Sequence, residues 1–203
     1  MHTRGDNSMA RKVGLTLEDV IDAAMAVADT EGLDAVTLAS VALLLGVRSP
    51  SLYAHVDGAD GLKRVIAIRA AGELGAVLAD AVAGRHVGGA DALREVAHVY
   101  RRFALEHPGL YLAAQRATDP QSDPELYAAL LAAAQPVLRA LEEAGVRTVA
   151  DRVHFTRVFR SALHGFVSLE RLGGFGLPQD IDESFDRLVE GHITLLTLLT
   201  TRS

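Results

Sequence analysis

The chain of 203 residues contains no cysteine. That excludes a disulfide-stapled secreted fold and a thiolate zinc site, and it fits a cytosolic, cytoplasmic setting. Long apolar runs are absent too. The longest candidate, "AALLAAAQ", falls well short of the roughly 18 residues a membrane span requires, so no membrane partner is expected. The opening "MHTRGDNSM" has no apolar segment and does not read as a signal peptide. Positive charge is scarce: 20 Lys and Arg stand against 26 Asp and Glu, a net charge of −6. A protein that coats nucleic acid through bulk charge is thereby excluded, but a local contact surface is not. Alternation with period two is nearly missing and β-branched residues are scattered, which argues against sheets. Aromatics are few as well: four Tyr and six Phe, of which all but Tyr53 lie at or beyond Tyr100.

What remains is a 49% hydrophobic chain able to bury a core, with helix signals throughout. We expect an all-α fold of about nine helices, over residues 17–31, 38–45, 50–55, 60–83, 92–106, 109–116, 123–144, 149–172 and 181–201. Starts and stops are marked by local chemistry. Thr16 with Asp19, and Asp180 with Glu183, have capping-box spacing; Ser122 with Glu125 has it too, with Pro124 in the first turn. Gly32 and Gly46 follow the first two helices as stops. Pro136 should kink its helix. "GRHVGGAD" (84–91) is the clearest break, and the long helix before it reads as a connector between a small aliphatic front part and a larger back part. No internal repeats are present.

The stretch "GVRSPSLYAH" (46–55) follows a short apolar helix capped by Thr37. Ala42 and Gly46 have the spacing of a helix-turn-helix, in which the small residue allows close packing and the glycine makes the turn. Ser49 is expected to cap the next helix, with Pro50 in its first turn, where a missing N–H is harmless. On that helix Leu52 and Val56 point inward together, while Ser51 and Ala54 point away and Tyr53 and His55 flank them. A small polar outer face suits the DNA major groove, where hydroxyls and imidazole reach phosphates and base edges.

The segment "TLASVALLLGVRSPSLYAHV" (37–56) resembles the DNA-binding motif of TetR-type transcriptional repressors, with a Leu-Gly-Val turn and a Leu-Tyr-x-His reading helix. "AAMAVADTEGLDAVTL" is similar to that family's first helix and Gly-centred corner, and "ALHGFVSLERLGGFG" resembles the C-terminal region of a subgroup with a His-Gly pair. The resemblance implies a homodimer that binds a palindromic double-stranded DNA operator and is released by a small-molecule effector. It implies a DNA-binding domain over residues 1–60 and a ligand-binding and dimerisation domain over residues 61–203. By the same resemblance Thr37, Arg48, Ser49 and Ser51 contact phosphate or bases, Tyr53 and His55 hold the backbone, and Arg11 and Lys12 form an arm. Members of the family usually carry a lysine at or near the start of the fourth helix. Here that stretch reads "DGADGLKR", with Asp57 and Asp60 at the site and Lys63 and Arg64 one turn further on as substitutes. Residues 1–60 hold four basic against nine acidic residues, so few phosphate contacts and a shallow salt dependence are expected. The same imbalance raises a second reading, a ligand-binding dimer that acts through a protein partner.

The aromatic set Tyr100, Phe103, Tyr111, Tyr127, Phe155 and Phe159, with His107, Gln115 and Arg116 as polar handles, is the expected ligand pocket, shared with ordinary core packing. Ser161, His164, Gly165 and Ser168 give a small face on one long helix. Phe185, Leu188, His192 and Leu195 give an apolar stripe on the last. Together they are the expected dimer surface, a four-helix bundle across two subunits. No His-x-x-x-His, Gly-x-Ser-x-Gly elbow or phosphate-binding glycine loop is present, so no metal, cofactor or catalytic residues are expected.

Overall fold

The computed structural model describes residues 14–83 and 89–201. All regular structure among them is helical, and no helix there is long and apolar enough to cross a membrane. In chain order the α-helices are α1 (Leu17–Glu31), α2 (Leu38–Leu45), α3 (Gly58–Ala83), α4 (Gly89–Glu106), α5 (Pro108–Ala113), α6 (Pro124–Glu143), α7 (Val149–Arg171) and α8 (Ile181–Thr201). Two 3-10 segments, Leu33–Ala35 and Ser49–Ala54, flank α2.

Local chemistry sets most boundaries. At α1 the Thr16 hydroxyl accepts the Asp19 N–H at 3.1 Å while the Asp19 carboxylate accepts the Thr16 N–H at 2.8 Å. Asp180 accepts the Glu183 N–H at 2.9 Å where α8 begins. The start of α6 differs from expectation. Asp123, not Ser122, is the cap, taking the Leu126 N–H at 3.1 Å. Ser122 instead joins a turn in which the Asp119 carboxylate accepts the N–H groups of Gln121 and Ser122. Ser122 sits one residue too early for its hydroxyl to reach the first turn, given that Pro124 opens the helix. α6 then runs unbroken through Pro136, which is buried.

The connector expected from its length is α3. Its first turns pack on α1 and α2, and its length lies along α4, α5 and α6. Leu62 and Ile66 are fully buried at the head end, and Leu74 and Leu78 are buried at the far end. One apolar cluster therefore runs without interruption from Val20 and Leu52 in the head to Phe185 and Leu196 at the C-terminal end. Gly109 marks the closest approach of head and body: a Cβ there would stand 2.0 Å from the Ala28 carbonyl oxygen.

Candidate nucleic-acid interface and internal cavity

The α2 turn is built by short-range bonds. Thr37 and Ser40 cap each other's backbone N–H, both at 3.0 Å, and the Ser40 hydroxyl also donates to the Ala35 carbonyl at 2.8 Å. Gly46 takes φ 66°, ψ 26°, the left-handed conformation that glycine adopts at least cost. With the chain so reversed, the Val47 N–H donates to the Ala42 carbonyl at 3.0 Å.

The segment after the turn corrects one expectation. Ser49–Ala54 is a 3-10 helix whose cap position is Arg48, and Ser49 makes no side-chain capping bond. The Ser51 N–H donates to Arg48 at 2.9 Å and the His55 N–H to Leu52 at 2.9 Å, both spanning three residues. Pro50 supplies no donor, and so short a segment gains little from four-residue bonds. The facing survives the change of helix type. Leu52 and Val56 are buried, Ser51 and Ala54 are exposed, Tyr53 is 63% exposed, and His55 is partly buried. Thr37 and Arg48 are exposed and Ser49 partly so. Leu43, 82% exposed, and Leu44 also stand out from α2. The apolar pattern of that helix does not single them out, because all of 41–45 is apolar. Arg11 and Lys12 lie outside the described residues.

The acidity of the head is largely directed elsewhere. Glu18 and Asp22 face Arg69 of α3, which also approaches Glu73 at 3.7 Å. The Asp19 carboxyl is held below its ordinary range chiefly by the Thr16 hydroxyl, with His55 nearby contributing. Asp29 is turned onto α5. The substitute cations divide. Arg64 is committed: its Nε donates to Asp123 Oδ2 at 2.6 Å and its Nη2 to Glu125 Oε2 at 2.7 Å. Lys63, partly exposed, stands one residue before it at the start of α3.

A cavity of about 80 Å³ lies between α3, α4, α6 and α7, with Ala114 and Gln115 also on its lining. Its walls include Leu74, Leu78, Val96, Leu130, Val137 and Leu163. Of the expected pocket aromatics, Tyr100 and Phe159 line it. Phe103, Tyr111 and Phe155 are buried behind the lining. The Tyr111 hydroxyl meets His164 Nδ1 at 2.5 Å and the Tyr100 hydroxyl at 3.2 Å. Burial pushes both phenols above their ordinary range, so they remain protonated. Tyr127 and His107 are corrections. Tyr127 lies on the exposed first turn of α6, whereas the cavity wall begins a turn later at Leu130. His107 is exposed, with its ring against Phe103 and Nδ1 3.1 Å from Asp29. Arg116 instead lines a groove beside His55. Thr156 and Arg160, four residues apart on α7, also face the cavity. The aromatic pattern misses both, although Thr156 stands three residues before Phe159 and Arg160 directly follows it.

On α7, Ser161 and Gly165 are exposed, and Ser168 and His164 partly so. On α8, Leu195 is exposed, while Leu188 and His192 are partly buried, the latter 5.3 Å from the Phe159 ring. Phe185 is a correction: it is fully buried in its own subunit, with Arg101 Cζ 4.9 Å from its ring centroid and the Phe166 ring at 5.2 Å. The inward face of α8 is Phe185, Val189, Ile193 and Leu196, which places the outward apolar row at Leu188, Leu195 and Leu198. α7 exposes Val158 and Leu169, and Leu172 at its C-cap is exposed too.

An all-α chain whose exposed second helix-turn-helix element stands on a buried Leu52 belongs, by fold and site, among helix-turn-helix DNA-binding regulators. A model described as the tetracyclin repressor-like C-terminal domain matches residues 93–192. An uncharacterised HTH-type transcriptional regulator of Mycobacterium tuberculosis is 38% identical over 176 residues, covering 86% of this chain and 78% of the relative. The uncharacterised HTH-type regulator YobS of Bacillus subtilis is 35% identical over 181 residues, covering 87% of this chain and 90% of its own. A TetR transcriptional regulator from Streptomyces coelicolor, 20% identical, superposes with a TM-score of 0.65 over 92% of this chain and all of that one, a likeness of fold. The chain belongs to the TetR family of DNA-binding transcriptional regulators.

Proposed function

We propose that the chain is a cytoplasmic, homodimeric repressor that a small-molecule effector releases from a palindromic operator. Residues 1–60 form the DNA-binding domain and residues 61–203 the ligand-binding and dimerisation domain. The observation that carries this reading is the row Arg48, Ser49, Ser51, Tyr53 and His55, uncovered on one side and anchored by Leu52 and Val56 on the other. Thr37 and Lys63 flank it and supply phosphate contacts; the Leu43 side chain suits a thymine methyl. Two such rows, one per subunit, enter successive major grooves about 34–36 Å apart. The apolar cavity holds the effector, and the exposed rows of α7 and α8 pair with their copies in a four-helix bundle.

Replacing Tyr53 and His55 together by Ala tests this assignment. Operator affinity falls at least about tenfold while the dimer stays intact. Unchanged affinity removes the row from the interface. One observation favours the second reading, action through a protein partner: Arg64 is held by Asp123 and Glu125, which leaves the head few free cations. Sequence-independent weak binding at low salt supports that reading against the first.

A further inference from the structure

Among the described residues, the charge on Arg160 has no counterion. On α4 and α7, Arg94 is paired with Asp91 and Glu190, Arg101 with Glu170 and Asp182, and Arg152 with Glu142, whereas Arg160 is the arginine of these helices that lines the cavity. Arg160 has no carboxylate partner among the described residues. Its Nη2 donates instead to the amide oxygen of Gln115 at 2.7 Å, and both residues line the cavity. The cause is legible in the helix itself, because residues 152–169 contain three Arg and two His and no acid. The positive field reaches inward. It opposes protonation of His164 and favours ionisation of the Tyr100 and Tyr111 phenols, against the larger effect of their burial.

One turn before Arg160, the Thr156 hydroxyl oxygen is buried, faces the same cavity and makes no hydrogen bond. Tyr100, whose hydroxyl is 3.2 Å from that of Tyr111, is on the same lining. Thus one side of an otherwise apolar cavity carries a guanidinium, an unpartnered hydroxyl, a phenol and a neutral amide. Arg160 itself is still exposed to water. A ligand that fills the cavity against Arg160 strips that water away, and a guanidinium so desolvated requires an anion in exchange. A flat carboxylate matches it with two parallel bonds. A dianion brings more charge than a single guanidinium offsets.

We infer that the effector is a small monocarboxylic acid with an apolar body. Its carboxylate takes Arg160 from Gln115 and receives the Thr156 hydroxyl; its body lies among Leu74, Leu78, Val96 and Val137. This rests on the reading of the cavity as an effector site. It adds the ligand's chemical class and the two residues that select it.

Calorimetric titration of the full chain with hexanoate, octanoate and benzoate, and with the primary amide and alcohol of each body, tests it. At least one acid binds, about 10- to 100-fold tighter than its own amide. Arg160→Gln removes that preference, and Arg160→Lys, which keeps the charge but not the fork, retains part of it. Thermal melts establish that both variants are folded. Equal binding of acid and amide, an acid preference that survives Arg160→Gln, or no binding by any acid of the set overturns the assignment. Acid binding through Arg160 that leaves DNA affinity unchanged sinks the reading of the cavity as an effector site and leaves only its selectivity for acids standing. A neutral molecule that releases DNA equally from the wild type and Arg160→Gln does the reverse.

Discussion

Asp29, near the C-terminal end of α1, caps α5 through Gly109. Its Oδ1 accepts the Gly109 N–H at 2.9 Å and the Leu110 N–H at 3.0 Å, across 80 residues of sequence. The carboxylate thus satisfies N–H groups that a helix start leaves unpaired. Gly109 and Leu110 are buried against α1, and the far end of α5 leads into Ala114 and Gln115 at the cavity. Head and cavity are therefore joined by one short, well-seated helix.

Disturbing that joint costs stability. Asp29→Ala loses about 1–2 kcal/mol through the missing cap. Gly109→Ala loses about 1–3 kcal/mol because the new methyl meets the Ala28 backbone. Gly72→Ala, at an exposed α3 position where an added Cβ meets nothing within 4 Å, gains about 0.5–1 kcal/mol. Urea denaturation of the three variants checks the ranking; a Gly109→Ala variant as stable as the wild type contradicts the close approach.

Stability also falls in mild acid through His164. Partial burial, then the nearby Arg160, lowers its folded-state value below the ordinary 6.5. The unfolded chain therefore binds the proton more readily, and stability rises with pH across that window. His164 contributes fully above about pH 6.5, and its contribution is lost as pH falls toward the lowered value. Thermal melts between pH 7.5 and about 5 show a smaller loss for His164→Gln than for the wild type. Parallel curves for the two proteins refute the assignment.

The outward row on α7 and α8 predicts a self-association that one charge disrupts. Leu195→Asp places a carboxylate in that row, twice per dimer by symmetry. Sedimentation of the variant shows monomers at concentrations where the wild type is dimeric. Val189→Asp, whose side chain is buried within the subunit, unfolds the chain instead. A dimeric Leu195→Asp moves the interface elsewhere.

Much of this architecture is legible in the sequence because its signals are short-range. The Thr16–Asp19 box, the Asp180 cap and the left-handed Gly46 each depend on residues within one turn of each other. The inward Leu52 and Val56 follow from spacing alone. The misses are of a different kind. The aromatic Phe185 has the composition of an interface residue, but which face of α8 turns inward is decided by His98, Arg101 and Phe166, far away in sequence. Arg64 reads as a free phosphate contact until Asp123, 59 residues on, is placed beside it. Arg160 shows the converse: the acid-free stretch around it is visible in the sequence, but that it lines the cavity with no carboxylate beside it among the described residues is displayed only by the packed structure.

The most direct measurement is selection from a pool of random double-stranded DNA by the purified full chain, repeated at two salt concentrations. Enrichment of a palindrome whose half-sites are centred about one helical turn apart, lost when Tyr53 and His55 are both Ala, is the predicted result. Recovery of no common sequence even at the lower salt contradicts it.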